Sequence, residues 1–120
     1  MSDWAVYNKE RFGHETIEEE WGFICFSFAP PFVALCDVWI RPELRRTGAA
    51  LRAFGQLRQR VSERPDCTHF WAQVQVADSG SSRALRWNLA LGFQVIEANN
   101  NRIILTREIG GSDGQQQSSK

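Results

Sequence analysis

Six consecutive residues, Arg45-Arg46-Thr47-Gly48-Ala49-Ala50, carry the strongest chemical suggestion in the chain. They follow Pro42 and stand at the mouth of an expected helix. A helix start leaves backbone N–H groups without internal partners and carries partial positive charge. Together these make an anion site. Arginines deepen it, and a glycine lets the backbone approach a ligand. The chemistry implied is capture of a phosphate-like anion by main-chain N–H groups. The plainer alternative for the same arginines is a solvated helix start.

The elements that must position this loop are legible on both sides of it. "WGFICFSFA" (21–29) and "FVALCDVWI" (32–40) are rich in β-branched and aromatic residues, and Pro30 and Pro31 separate them. They predict an antiparallel pair with a tight connection. After Pro42 the period changes: Leu51, Phe54, Leu57 and Val61 recur at helical spacing, and Pro65 ends the helix near Arg64. "CTHFWAQVQVA" (67–77) alternates, with Phe70, Ala72, Val74 and Val76 on one face and Trp71, Gln73 and Gln75 on the other. "DSGSS" offers a turn with a serine N-cap, "RALRWNLAL" (83–91) a helix, and Gly92 its stop. "FQVIEA" and "RIILTREI" predict a hairpin across Asn99, Asn100 and Asn101, because Asn tolerates positive φ. Near the N-terminus, "WAVY" reads as a short strand and "HETIEEE" as a short acidic helix or loop. The expected order is β-β-α-β-α-β-β, a mixed α/β (α+β) sheet with one right-handed crossover.

A chain of 120 residues, 42% apolar and 23% charged, fits one domain able to bury a core without staples. Formal net charge is zero, which argues against a nucleic-acid partner. Twelve of the fourteen basic residues are Arg, with only Lys9 and Lys120 as lysines. That bias suits bidentate anion contacts and equally suits a genome-wide preference. Cys25, Cys36 and Cys67 lack Cys-x-x-Cys spacing, so neither zinc nor a disulfide framework is expected. They point to a reducing, cytoplasmic setting. The N-terminus lacks the apolar run of a signal peptide, and no stretch approaches the ~20 apolar residues of a membrane span. "GGSDGQQQSSK" (110–120) is polar and low in complexity, a tail beside a domain of residues 1–109. Any ordering of it would call for a protein partner.

With these elements in place, the sequence resembles the GNAT superfamily of acyl-CoA-dependent N-acetyltransferases. The family's pyrophosphate loop, Q/R-x-x-G-x-G/A, follows a strand ending V-x-P-E. Here the strand ends Ile40-Arg41-Pro42-Glu43, and Arg45, Gly48 and Ala50 fill the first, fourth and sixth loop positions. A second family segment, N-x-x-A followed by Gly-Phe, is matched by Arg83, Ala84 and Leu85 with Gly92-Phe93. The resemblance covers about residues 21–108. It implies a GNAT-like fold with a shortened N-terminal part, since only about twenty residues precede Trp21.

The resemblance also implies a function. The anion becomes the pyrophosphate of acetyl-CoA as cosubstrate, held by the loop from Arg45 through Arg46, Thr47, Gly48 and Ala49 to Ala50. Backbone N–H groups near Val38–Ile40 would polarise the thioester, and Ser81 stands where the family has its asparagine. Catalysis would be direct attack by the amine of an acceptor the sequence does not identify. A base must take the amine proton. Asp37 lies where the family often carries an acid. Strand alternation places it with Val33, Leu35 and Trp39, apolar neighbours that favour a base. The alternative is an aspartate paired with an arginine. Glu20 is a second candidate base or simply the end of an acidic surface run. The tyrosine often used as general acid falls on Asn88, which is no proton donor at neutral pH, and the one tyrosine is Tyr7. Gln73 and Gln75 line the cleft or meet solvent. His14 and His69 lack a partner motif and read as structural, and Trp71 and Trp87 as packing.

A competing reading keeps the fold without the chemistry. In brevity and layout the chain is similar to short GNAT-like proteins of tailed bacteriophages, some of them virion components.

Overall fold

The structure, a computed structural model, describes residues 2–110. The element order is α1 (Asp3–Phe12), β1 (Glu15–Glu19), β2 (Gly22–Ala29), β3 (Phe32–Ile40), a 3-10 turn at Pro42–Leu44, α2 (Ala49–Val61), β4 (His69–Gln75), α3 (Ser81–Ala90), β5 (Gln94–Ala98) and β6 (Arg102–Glu108). The six strands form one mixed sheet in the order β1-β2-β3-β4-β6-β5. From residue 21 onward these are the expected elements in the expected order.

The N-terminal expectations are corrected. "WAVY" lies inside α1, where Ala5 is buried and Trp4, Val6 and Tyr7 are largely exposed. "ETIEE" is strand β1, paired antiparallel with β2. Ile17 alone among its five residues is buried; Glu18 and Glu19 face solvent, as on many edge strands, and Glu15 pairs with Lys9 and Arg60. Local composition reads as helix or loop; pairing with β2 makes it a strand.

Three smaller points differ. Leu51 is exposed, and the buried stripe of α2 is Ala49, Ala53, Phe54, Leu57 and Val61. Gly80 caps α3 with no side-chain hydrogen bond, so the serine cap is not used. Among the described residues Arg46 alone of the non-glycines has positive φ, so the Asn99–Asn101 hairpin does not use that freedom. The Asn99 carboxamide oxygen instead accepts from the N–H groups of Asn101 and Arg102, at 2.7 and 3.0 Å.

α2 and α3 cover one face of the sheet. Their core is aromatic: Phe54 packs on Phe70, Phe93 and the edge of Trp87. Arg107 of β6 is buried in it, its Nε donating to the Leu91 carbonyl at the end of α3 at 2.8 Å. A helix C-terminus is a favourable place for a cation. α1 lies on the other face, where Trp4 meets Phe23 at 4.8 Å between ring centroids. Gly22 opens β2 against the backbone of Trp39. A Cβ there would sit 2.0 Å from the Trp39 carbonyl oxygen, which no side chain could tolerate.

Candidate functional site

β3 is paired with β2 along its whole length but with β4 only at its beginning. The parallel pairs are Phe32–His69, Val33–Phe70 and Ala34–Trp71. Beyond them the strands part, although β3 runs on to Ile40 and β4 to Gln75. Their outer edges stay laddered to β2 and β6. Two facing strand edges with unpaired N–H and C=O groups therefore line a slot. Unpaired edges accept extended, amide-bearing ligands.

The slot opens toward the carboxyl ends of β3 and β4, where α2 and α3 begin. The chain leaves Ile40, makes the 3-10 turn and reaches α2 through Arg45–Gly48. Arg46 at φ 68° and Gly48 at φ 88° both adopt left-handed backbone. Among the described residues the N–H of Arg45 goes to the Pro42 carbonyl and that of Arg52 to Gly48, while the N–H groups of residues 46–51 find no partner. Six consecutive free donors lead into the helix start, the kind of position where phosphate oxygens are held. Gly48 needs to be glycine for its conformation; a Cβ there meets nothing closer than the Arg52 side chain at 3.5 Å.

The side chains around the loop divide into braces and free charges. Arg45 Nε donates to the Ile40 carbonyl at 2.8 Å, fastening the loop to the end of β3. Thr47 Oγ1 donates to the Leu44 carbonyl. Arg41 Nε donates to the Glu20 carbonyl at 2.9 Å, which leaves Glu20 an exposed surface residue. Arg46 and Arg52 are exposed at the loop. Ser81, half-buried, is the first residue of α3.

Asp37 is not where alternation puts it. Cys25 stands opposite Asp37 and Phe26 opposite Leu35, so Cys36 has no partner and forms a bulge. A bulge shifts the alternation by one residue. Val33 and Leu35 face the core, and after the bulge Val38 and Ile40 do. Asp37 shares its face with Trp39 alone of its expected neighbours; both are exposed on the α1 side. The apolar enclosure expected for this carboxylate is absent.

The remaining candidates sort as follows. Asn88 is buried; its Nδ2 donates to the Ala84 carbonyl at 2.8 Å, and its Oδ1 has no partner. Gln73 Oε1 accepts from Arg102 Nη1 at 3.2 Å, and Gln75 is exposed. Trp87 packs against Phe54, and Trp71 is half-buried on the α1 face of β4. His69 closes the paired end of the slot, its Nδ1 2.9 Å from Thr68 Oγ1. Tyr7 is exposed on α1 beside Phe12. A hollow of about 400 Å³ lies by β1, lined by Ser2, Thr16, Ile17, Glu18, Glu19 and Arg60, and shares no residue with the slot or loop.

One grouping was invisible in sequence: His14, Cys25 and Cys36 converge on the α1 face. Burial pushes the Cys25 thiol up to about 11 and also raises that of Cys36. Their spacing carries no metal motif; the sheet register brings them together.

Comparison with known proteins bears on this geometry. The model of the acetyltransferase (GNAT) family matches residues 3–93. This chain belongs to the GNAT family. The match starts within α1, so the N-terminal helix and β1 lie inside the family domain. Solved structures share the fold. An aminoglycoside 6'-N-acetyltransferase complexed with coenzyme A is 12% identical, with a TM-score of 0.71 over 89% of this chain and 79% of that one. The ribosomal-protein-S18-alanine N-acetyltransferase of Escherichia coli is 13% identical, with a TM-score of 0.62 over 96% and 81%. Arabidopsis thaliana NAA60 in complex with acetyl-CoA is 15% identical, with a TM-score of 0.60 over 78% and 68%. No curated protein matches the chain. Among the described residues no helix is long and apolar enough to cross a membrane.

Proposed function

We propose that this GNAT chain is an acetyl-CoA-dependent N-acetyltransferase acting on the amine of an acceptor. The observation that carries the reading is the row of free N–H groups from residue 46 to 51 at the open end of the slot. Acetyl-CoA supplies an acyl group activated as a thioester. The residues present suit it. The N–H groups of Arg46, Thr47, Gly48, Ala49 and Ala50 hold the pyrophosphate, and the Arg46 and Arg52 guanidiniums add charge. Arg45 braces the loop through Ile40 and keeps its Nη groups for the ligand. Ser81 adds a hydroxyl at the second helix start. The unpaired edge of β3 around Val38 and Ile40 donates to the carbonyl oxygen on which charge develops. Asp37, on the opposite face, receives the proton the amine loses, directly or through a water. The acceptor amine thus approaches from the α1 side and the phosphates from the helix side.

A binding-only role is the second reading, and Asn88 favours it. Its amide is committed to Ala84 and offers no proton to a departing thiolate. Loss of a general acid typically costs 10²–10⁴-fold in rate. A thiolate leaves tolerably unaided, so a slow enzyme remains compatible with Asn88.

Titration calorimetry with acetyl-CoA, followed by free-thiol release over a panel of amines and peptides, separates the two. Heat of binding with turnover supports the enzyme. Binding without turnover on any acceptor supports the second reading, and no heat at low salt and excess ligand overturns both. Gly48→Glu abolishes binding, since it strains a left-handed position and places a carboxylate among the anion's donors.

A further inference from the structure

We infer that His14, Cys25 and Cys36 form a binding site for one thiophilic divalent cation, of the Zn(II) class, on the α1 face of the sheet. His14 Nδ1 or Nε2 and the two Sγ atoms all lie within 4.8 Å of one another. With Zn–S bonds of about 2.3 Å and Zn–N bonds of about 2.0 Å, tetrahedral ligands stand about 3.5–3.8 Å apart. Closure by about 1 Å, within the reach of side-chain rotation, completes the set.

Three separate features of the fold bring the ligands there. Gly13, at φ 73°, ends α1 with its N–H on the Lys9 carbonyl at 3.0 Å and turns the chain so that His14 leads into β1. Thr16 pairs with Cys25, and His14, two residues before Thr16, points to the same side. The β3 bulge leaves Cys36 without a cross-strand partner, beside Asp37, which stands opposite Cys25. Alternation from Val33 and Leu35 puts Cys36 on the α1 face, and the bulge adds Asp37 to that same face. Its thiol makes long contacts, 3.7 Å to Ser27 Oγ and 3.6 Å to the Ala34 carbonyl, and interacts with the Cys25 thiol.

The donor set chooses the class of ion. Two thiolates and an imidazole select Zn(II) and similar borderline or soft ions over Mg(II) and Ca(II). On binding, both thiols release their protons to solvent, and two thiolates with a divalent ion leave no net charge on a half-buried site. Three protein ligands leave a fourth position, reachable because Cys36 is exposed. The bound ion joins the end of α1 to β2 and β3.

The test uses the full chain, reduced and stripped with chelator. Co(II) is added first as a spectroscopic probe, and Zn(II) is then titrated against a chromophoric chelator. The expected result is one equivalent bound, with thiolate-to-Co(II) charge-transfer bands that Zn(II) bleaches, and a rise in melting temperature with Zn(II). His14→Ala and Cys36→Ser each weaken binding more than tenfold and remove that rise, while Cys67→Ala retains the bands. Cys36 and His14 are not core residues, so those variants fold. Absence of the bands in folded wild type, their persistence in Cys36→Ser, or formation of a Cys25–Cys36 disulfide as the only event at these thiols overturns the inference.

Discussion

On one face of the sheet, α2 and α3 close over Phe54, Phe70, Phe93, Leu57 and Leu105. On the other, α1 rests on β1 and Phe23, and the exposed row runs through Cys36, Asp37 and Trp39. The same strands build both faces, and a single extra residue separates their roles. The bulge at Cys36 turns Val38 and Ile40 into the core and leaves Asp37 outside it. On the proposed reading, the packed core and the carboxylate that takes the proton fall on opposite sides of β3, and substitutions on the two sides should fail differently.

The largest effect is expected on the closed face. Phe54→Ala removes the ring that touches Phe70, Trp87, Phe93 and the Arg107 guanidinium. It should cost about 3–5 kcal/mol of stability, seen as a large drop in the denaturation midpoint. A loss under about 1 kcal/mol would mean that this core repacks freely. On the open face, Asp37→Asn should leave the midpoint unchanged and lower kcat/KM by about 10²–10⁴-fold if Asp37 is the base. Acetyl-CoA affinity should not move, because the carboxylate meets the amine. Equal turnover by the two proteins would remove Asp37 from the mechanism.

A pH experiment sharpens the contrast. Burial, and then the neighbouring Asp66 carboxylate, raise the Cys67 thiol above its ordinary range. The folded state therefore holds that proton more tightly than the unfolded chain does. Its contribution is complete below the unfolded value of about 8.5 and is lost as pH climbs through the folded one. The melting temperature should fall more steeply above pH 9 in wild type than in Cys67→Ala; parallel curves would refute the coupling. The smallest effect is expected from truncation after Ile109, which removes a polar tail and should change the melting temperature by no more than a few degrees. A drop of ten degrees or more would show the tail packing on the domain.

How much of this was legible depended on how local each cause is. The strands at 22–29 and 32–40, the long helix and β4 follow from periodicities contained in their own residues. Gly48 could be singled out because a helix start after a basic turn is a local event. β1 was missed because its strand character lies in pairing with β2. The face of Asp37 was missed because nothing in "FVALCDVWI" announces a bulge; only the register against β2 reveals it. His14, Cys25 and Cys36 were hidden for the same reason. The buried Arg107 carried no signal in "RIILTREI" beyond its place on the core-facing side of an alternating strand.

The short pairing between β3 and β4 has a mechanical consequence. Three cross-strand pairs join one half of the sheet, β1-β2-β3, to the other, β4-β6-β5. Every other junction in the sheet is longer. That junction is the seam along which the molecule would open under load, with α2, which joins β3 to β4, as the strap across it. Amide exchange should report the seam as a cooperative opening of lower free energy than global unfolding. A molecule lying in the slot would act as added rungs, stitching the halves into a single elastic body.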